Sequence, residues 1–186
     1  METNTTGTLT PPTNLATDTG IVNRVAQSAL ITLNLEDLRN PATRVLLDIK
    51  DQLFQGLILR EKDFREFVKN HDWAQYAGKA VAITCTADAV VPTWAYMLLG
   101  TALAPHATHF VFGSLQDLEI DLYRRALEQH DFAQYRGEKV VLKGCGTVPP
   151  ATYVDAVRKL MPFADKLMYG EPCSTVPLYK KPAAKA

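Results

Sequence analysis

The chain lacks a net charge, a long apolar run and a dense set of cysteines, and each absence removes a class of function. Lys and Arg number 20 and so do Asp and Glu. A balanced chain exerts no net pull on nucleic acid or anionic lipid, so neither is an expected partner. No apolar run reaches the ~18 residues that a membrane-spanning helix needs. The N-terminus lacks the basic-then-apolar pattern of a secretory signal. Three cysteines, an odd number, do not make a disulfide framework. The expectation is a cytoplasmic protein with reduced thiols. No Gly-rich loop follows a strand, so no nucleotide site is expected. No nucleophile elbow is present either.

What is there reads as one α/β domain. Residues 1–20 are rich in Thr, Asn and Pro with few apolar anchors, the composition of a disordered leader. Residues 181–186 read as a flexible tail, and 21–180 as a single domain. Ile31, Leu33 and Leu35 alternate with polar residues, which predicts a strand. After a turn at Arg39-Asn40-Pro41, residues 44–50 (RVLLDIK) predict a second strand. So short a connection suggests an antiparallel hairpin. Helices are then predicted at 60–70, from Pro92, from Ser114 and at 151–161. The Pro92 helix is apolar almost all round and is therefore expected to be buried. Ser114 and Asp117 form a capping-box pattern. Strands are predicted at 79–85, 109–112, 138–143 and 165–169. Strands alternating with helices imply parallel pairing. The expected class is α/β: a three-layer α/β/α arrangement, mostly parallel, with an N-terminal antiparallel hairpin.

The chain repeats itself. "HDWAQYAGKAVAITC" at 71–85 matches "HDFAQYRGEKVVLKGC" at 130–145. One inserted residue sets Lys79 opposite Lys139 and Cys85 opposite Cys145. Both copies end a helix and lead into a strand, a helix–turn–strand unit used twice. His71 and His130 read as caps of helix C-termini, with the aromatics filling the helix–sheet seam, rather than as catalytic groups.

Cys85 and Cys145 then fall at strand C-termini, and Cys173 follows the last strand. Each precedes a Val-Pro step: Val91-Pro92, Val148-Pro149 and Val176-Pro177. The first two prolines open helices, and Pro177 could open one more turn. Ligands of open α/β sheets bind outside the carboxyl ends of strands, so three thiols converging there are the candidate site. A thiol beside a helix N-terminus has a larger thiolate fraction. Three such thiols could hold zinc, with Asp88, Glu171 or water as fourth ligand, or an iron–sulfur cluster. Sulfur transfer through one thiolate is the second possibility. A non-catalytic interaction module with buried cysteines is the third. Convergence depends on strand order, because neighbouring strands lie about 4.8 Å apart. Asp88 also reads as a turn or cap residue, Glu171 as exposed, and Trp73 and Trp94 as core. Asp48, Lys50, Asp51 and Arg60 could form an ion-pair network or a far wall of the crevice. No oligomeric state follows from these patterns.

"IVNRVAQSALITLNLEDL", "LFQGLILREKDFREFVKNHDW", "VAITCTADAVVPTWAYMLL" and "YGEPCSTVPLYK" resemble the bacterial domain-of-unknown-function family 2480, over about residues 20–180. The resemblance carries the expectation that genes of that family often lie near those for iron–sulfur cluster assembly. The resemblance therefore implies an iron–sulfur-linked role for Cys85, Cys145 and Cys173, with assembly proteins as partners. It carries over no catalytic residue.

Overall fold

The computed structural model describes residues 30–182; the expected leader and residues 183–186 of the tail lie outside them. In chain order the elements are β1 (Leu30–Asn34), β2 (Arg44–Asp48), α1 (Glu61–Asn70), β3 (Ala80–Thr84), α2 (Thr93–Leu103), β4 (His109–Phe112), α3 (Leu115–Gln129), β5 (Lys139–Lys143), α4 (Pro150–Leu160), β6 (Lys166–Glu171) and β7 (Ser174–Lys180). The α/β class and the mainly parallel pairing are as expected, and the alternating elements up to β6 match the sequence pattern, but β7 is a further strand beyond 165–169, the last one expected.

The strands form two sheets, not one. One runs β1-β5-β6-β7 and the other β2-β3-β4. All pairings are parallel except β6 with β7. The expected N-terminal hairpin is therefore corrected. β1 pairs with β5 and β2 with β3, so the short connection steps between sheets. Its cause is local. Asn34 accepts the Glu36 N–H, and residues Leu35–Leu38 wind a 3-10 turn that carries the chain away from β1. Arg44 and Arg39 then fix the connection on α3 through Glu119, at 2.6 and 3.4 Å.

Helix α3 joins the two sheets. Leu118 and Leu122 pack against Ala80 and Ala82 of β3. Those small residues let the helix approach the sheet closely. Tyr123 and Leu127 face the other core, with Leu33, Val140, Leu142 and Leu167. The opposite face of β3, through Val81 and Ile83, packs with Phe64 of α1 and Leu99 of α2. β3 is thus buried on both faces, as its unbroken apolar run requires. Among the described residues no helix is long and apolar enough to cross a membrane.

The repeat extends far beyond the matching strings, and it has no gap through the helix–turn–strand unit. Gly78 and Gly137 both adopt positive φ, at 72° and 76°. Their N–H groups bond the equivalent carbonyls of His106 and Phe163. β3 and β5 each begin two residues later, at Ala80 and Lys139. Lys79 therefore corresponds to Glu138, Cys85 to Gly144, and Thr86 to Cys145. This corrects the one-residue insertion that aligned the two cysteines: it matched residue identities, whereas the backbone hydrogen bonds fix the register. The same spacing sets Phe64 on Tyr123; the loop after the strand is then two residues shorter in the second half, and beyond it Pro92 corresponds to Pro149, Ala95 to Thr152, Tyr96 to Tyr153, and β4 to β6.

Two residues expected elsewhere are also relocated. Pro177 opens no helical turn but lies within β7. Helix α2 is not wholly buried, since Met97 is 68% exposed.

Candidate functional site: the carboxyl edges of the two sheets

Each sheet ends in a loop, a Pro-led helix start and a tyrosine one turn into that helix. In the four-stranded sheet, β5 runs out at Lys143 and the chain continues through Gly144, Cys145, Gly146 and Thr147. The Val148 N–H bonds the Cys145 carbonyl at 3.1 Å, closing a turn. The Cys145 side chain is exposed. Its sulfur receives the Thr147 N–H at 3.5 Å and lies 2.9 Å from the Thr147 hydroxyl. One backbone N–H thus points at the thiol, and a hydroxyl lies within hydrogen-bond distance of it. The Tyr153 hydroxyl donates to the Cys145 carbonyl at 3.5 Å, and its ring meets Tyr169 edge-on at 5.6 Å. Burial, then the neighbouring Tyr169 and Cys145, push the Tyr153 phenol above its ordinary range. Position 144 must be glycine for this packing, because a Cβ there would collide with the Tyr153 hydroxyl.

Cys173 sits on the same edge, in the Pro172–Cys173 turn between β6 and β7, and is exposed. The turn explains the Gly-Glu-Pro-Cys sequence. Gly170 adopts a φ of 119°, and Glu171 pairs with Ser174 across the two turn residues. Glu171 itself forms a 2.9 Å ion pair with Lys143. That hydrogen bond and charge raise the Lys143 ammonium above its ordinary range.

The three-stranded sheet carries a different set. Cys85 follows β3, is half-buried, and packs against the core with Tyr96 and Val91. Its sulfur has only a long contact, 3.9 Å, to the Ala87 carbonyl. Asp48, at the end of β2, accepts the Thr86 hydroxyl at 2.5 Å and the Thr86 and Lys50 N–H groups at 3.1 and 3.0 Å. Burial pushes the Asp48 carboxyl up. The Thr86 and Lys50 hydrogen bonds and the Lys50 charge outweigh that and hold it below the usual carboxylate range. Tyr96 is raised, first by burial and then by Cys85 and Asp48. Asp88 is exposed in the loop before α2. Arg60 lies over the Phe54 ring, 3.0 Å from its centre, and pairs with Asp63 at 3.9 Å.

The structure thus divides the three thiols. Cys145 and Cys173 share one sheet edge, and Cys85 belongs to the other sheet. Among the described residues no three His, Cys, Asp or Glu side chains come together as a metal cage. The donor set of Cys85, Cys145, Cys173, Asp88 and Glu171 does not fit a single zinc or iron–sulfur site. Nor are the cysteines buried as an inert interaction module would have them, since two are exposed.

Most of the chain matches a known family. Residues 19–181 fit the model described as protein of unknown function, DUF2480. The chain belongs to the DUF2480 family. No curated protein and no solved structure matches it, so the family's chemistry has to be read from the residues themselves.

The repeated histidines are structural, as their sequence suggests. His71 and His130 cap α1 and α3. Each meets a buried tyrosine hydroxyl, Tyr76 at 3.0 Å and Tyr135 at 2.9 Å. Thr147, Tyr96 and Tyr153 are the site residues that the sequence reading passed over. A signal for the tyrosines was present: Val-Pro followed four residues after Pro by Tyr occurs at Val91-Pro92…Tyr96 and Val148-Pro149…Tyr153.

Proposed function

We propose that this protein works through thiol chemistry centred on Cys145, and that the reaction is transfer of sulfane sulfur from a persulfide. One observation carries the reading: an exposed sulfur receives a backbone N–H and faces a hydroxyl ahead of a helix N-terminus. Exchange between sulfurs needs a thiolate and an open approach, not a general base. That suits a site where His71 and His130 are engaged elsewhere. In the step, the Cys145 thiolate attacks the outer sulfur of R–S–SH. The new S–S bond forms on Cys145 and RS⁻ leaves with the electrons of the broken bond. An acceptor thiolate then takes the outer sulfur and restores the Cys145 thiolate. Cys173, on the adjacent strand's turn, is the in-chain acceptor of the right chemistry.

The test is to treat the reduced full-length protein with glutathione persulfide, trap with an alkylating agent and map the modified cysteines by mass spectrometry. The reading expects an added sulfur on Cys145, lost in Cys145→Ser and retained in Cys85→Ser. Equal labelling of all three thiols, or none at Cys145, overturns it. Iron with acid-labile sulfide in anaerobically purified protein would favour the cluster reading in its place.

A further inference from the structure

The two halves treat the same edge differently. β6 carries β7 on its outer side, antiparallel, with Tyr179 opposite Leu167 and Val176 opposite Tyr169. Its counterpart β4 has β3 on one side and no strand on the other among the described residues. The groove between helix and edge strand follows suit. In the second half it holds about 370 Å³, and Leu178 of β7 enters it beside Tyr153, Val157 and Tyr169. In the first half it holds about 760 Å³ and lies open between α2 and β4. Gly100 stands where Val157 stands in the other half, which deepens it.

Two further features mark this face. α2 (TWAYMLLGTAL) has no charged residue, although Thr93, Met97 and Thr101 along one stripe are exposed. Loss of charge from an exposed surface is the compositional mark of an interface core. β4 (HFVF) has neither the Lys nor the Pro with which proteins blunt free edges. β7, the outer strand of the other sheet, has both, at Lys180 and Pro177.

We infer that β4 pairs with β4 of a second copy of this chain, antiparallel about a two-fold axis at Val111, joining two three-stranded sheets into one of six. Strand parity fixes the register. Residues directly opposite share a sheet face. Phe110 packs on the α2 side, and so does Phe112, against Tyr96 at 4.8 Å. Val111 points to the α3 side. Pairing Val111 with its own copy sets each Phe112, 67% exposed, opposite the partner's Phe110. That reproduces the Tyr179–Leu167 pairing of the other half. A four-residue seam alone buries less than the about 800 Å² per partner of a stable interface, and the uncharged stripe of α2 supplies the rest.

The test is sedimentation equilibrium of the full-length chain, with Phe112→Asp and, as control, Val154→Asp, an equally exposed site on α4. The expected result is a dimer that Phe112→Asp weakens about thirtyfold or more and Val154→Asp leaves unchanged. Val111→Cys, checked for native circular dichroism, is expected to form a 111–111 disulfide between copies under mild oxidation. A monomer at every concentration, a dimer indifferent to Phe112→Asp, or failure of the 111–111 bond each overturns the inference. So does capture of an extended peptide along β4 by a chain that stays monomeric.

Discussion

The Thr147 hydroxyl lies 2.9 Å from the Cys145 sulfur, and the Thr147 N–H points at the same atom from 3.5 Å. Thr147→Val keeps the N–H and removes the hydroxyl. A hydrogen bond to a charged group contributes about 1.5 kcal/mol or more. Because a less stabilised thiolate is scarcer but intrinsically more nucleophilic, the alkylation rate of Cys145 at neutral pH is expected to fall about threefold, with Cys85 and Cys173 unchanged. Time-resolved mass spectrometry of the labelled protein reads all three together.

Asp48 supplies a pH dependence with a definite sign. Its folded-state carboxyl is held below the usual range, so its stabilisation is present above the unfolded value of about 3.9. It is lost as pH falls through the folded value. Asp48→Asn is the natural comparison, because Asn34 occupies the counterpart position at the end of β1. Urea unfolding should show the variant less stable by about 1 kcal/mol at pH 7. The two proteins should converge in acid once pH has fallen through the lowered folded-state value of Asp48.

Two buried hydroxyls stand where the first half has none. Tyr123 and Thr152 are 2% exposed, and neither side-chain oxygen has a hydrogen-bond partner. Phe64 and Ala95 occupy their counterparts. Removing an unpaired buried hydroxyl relieves its desolvation cost. Tyr123→Phe and Thr152→Val are each expected to raise stability by about 1 kcal/mol, read as a higher melting temperature. A loss of similar size would show that each hydroxyl is bound to an ordered water.

The Arg44–Glu119 pair, with side chains only 13% and 14% exposed, pins the β1–β2 connection to α3. Glu119→Gln leaves Arg44 without its charge partner, at a cost of about 2 kcal/mol. The denaturation midpoint should fall while the slope stays constant.

Much of this arrangement is legible in the sequence. The alternation of Val81 and Ile83 with Ala80 and Ala82, the capping box at Ser114 and Asp117, and the Pro-led helices all act locally. What the sequence does not carry is the choice of partner strand. Nothing near Ile31 or Leu46 tells which later strand each will meet, and that choice separates Cys85 from Cys145. The identity match of Cys85 with Cys145 misled because a single residue shifts a strand's register, which only the cross-strand hydrogen bonds reveal. The uncharged α2 looked like a buried helix because the sequence shows apolar character but not what covers it.

The most direct test of a privileged thiol at Cys145 is alkylation of the native, reduced protein with iodoacetamide well below one equivalent, followed by quantitative mapping of the three cysteines. The expected result is label concentrated on Cys145, ahead of Cys173, which is also exposed, and well ahead of the half-buried Cys85. Label shared evenly by Cys145 and Cys173, or led by Cys85, would contradict it.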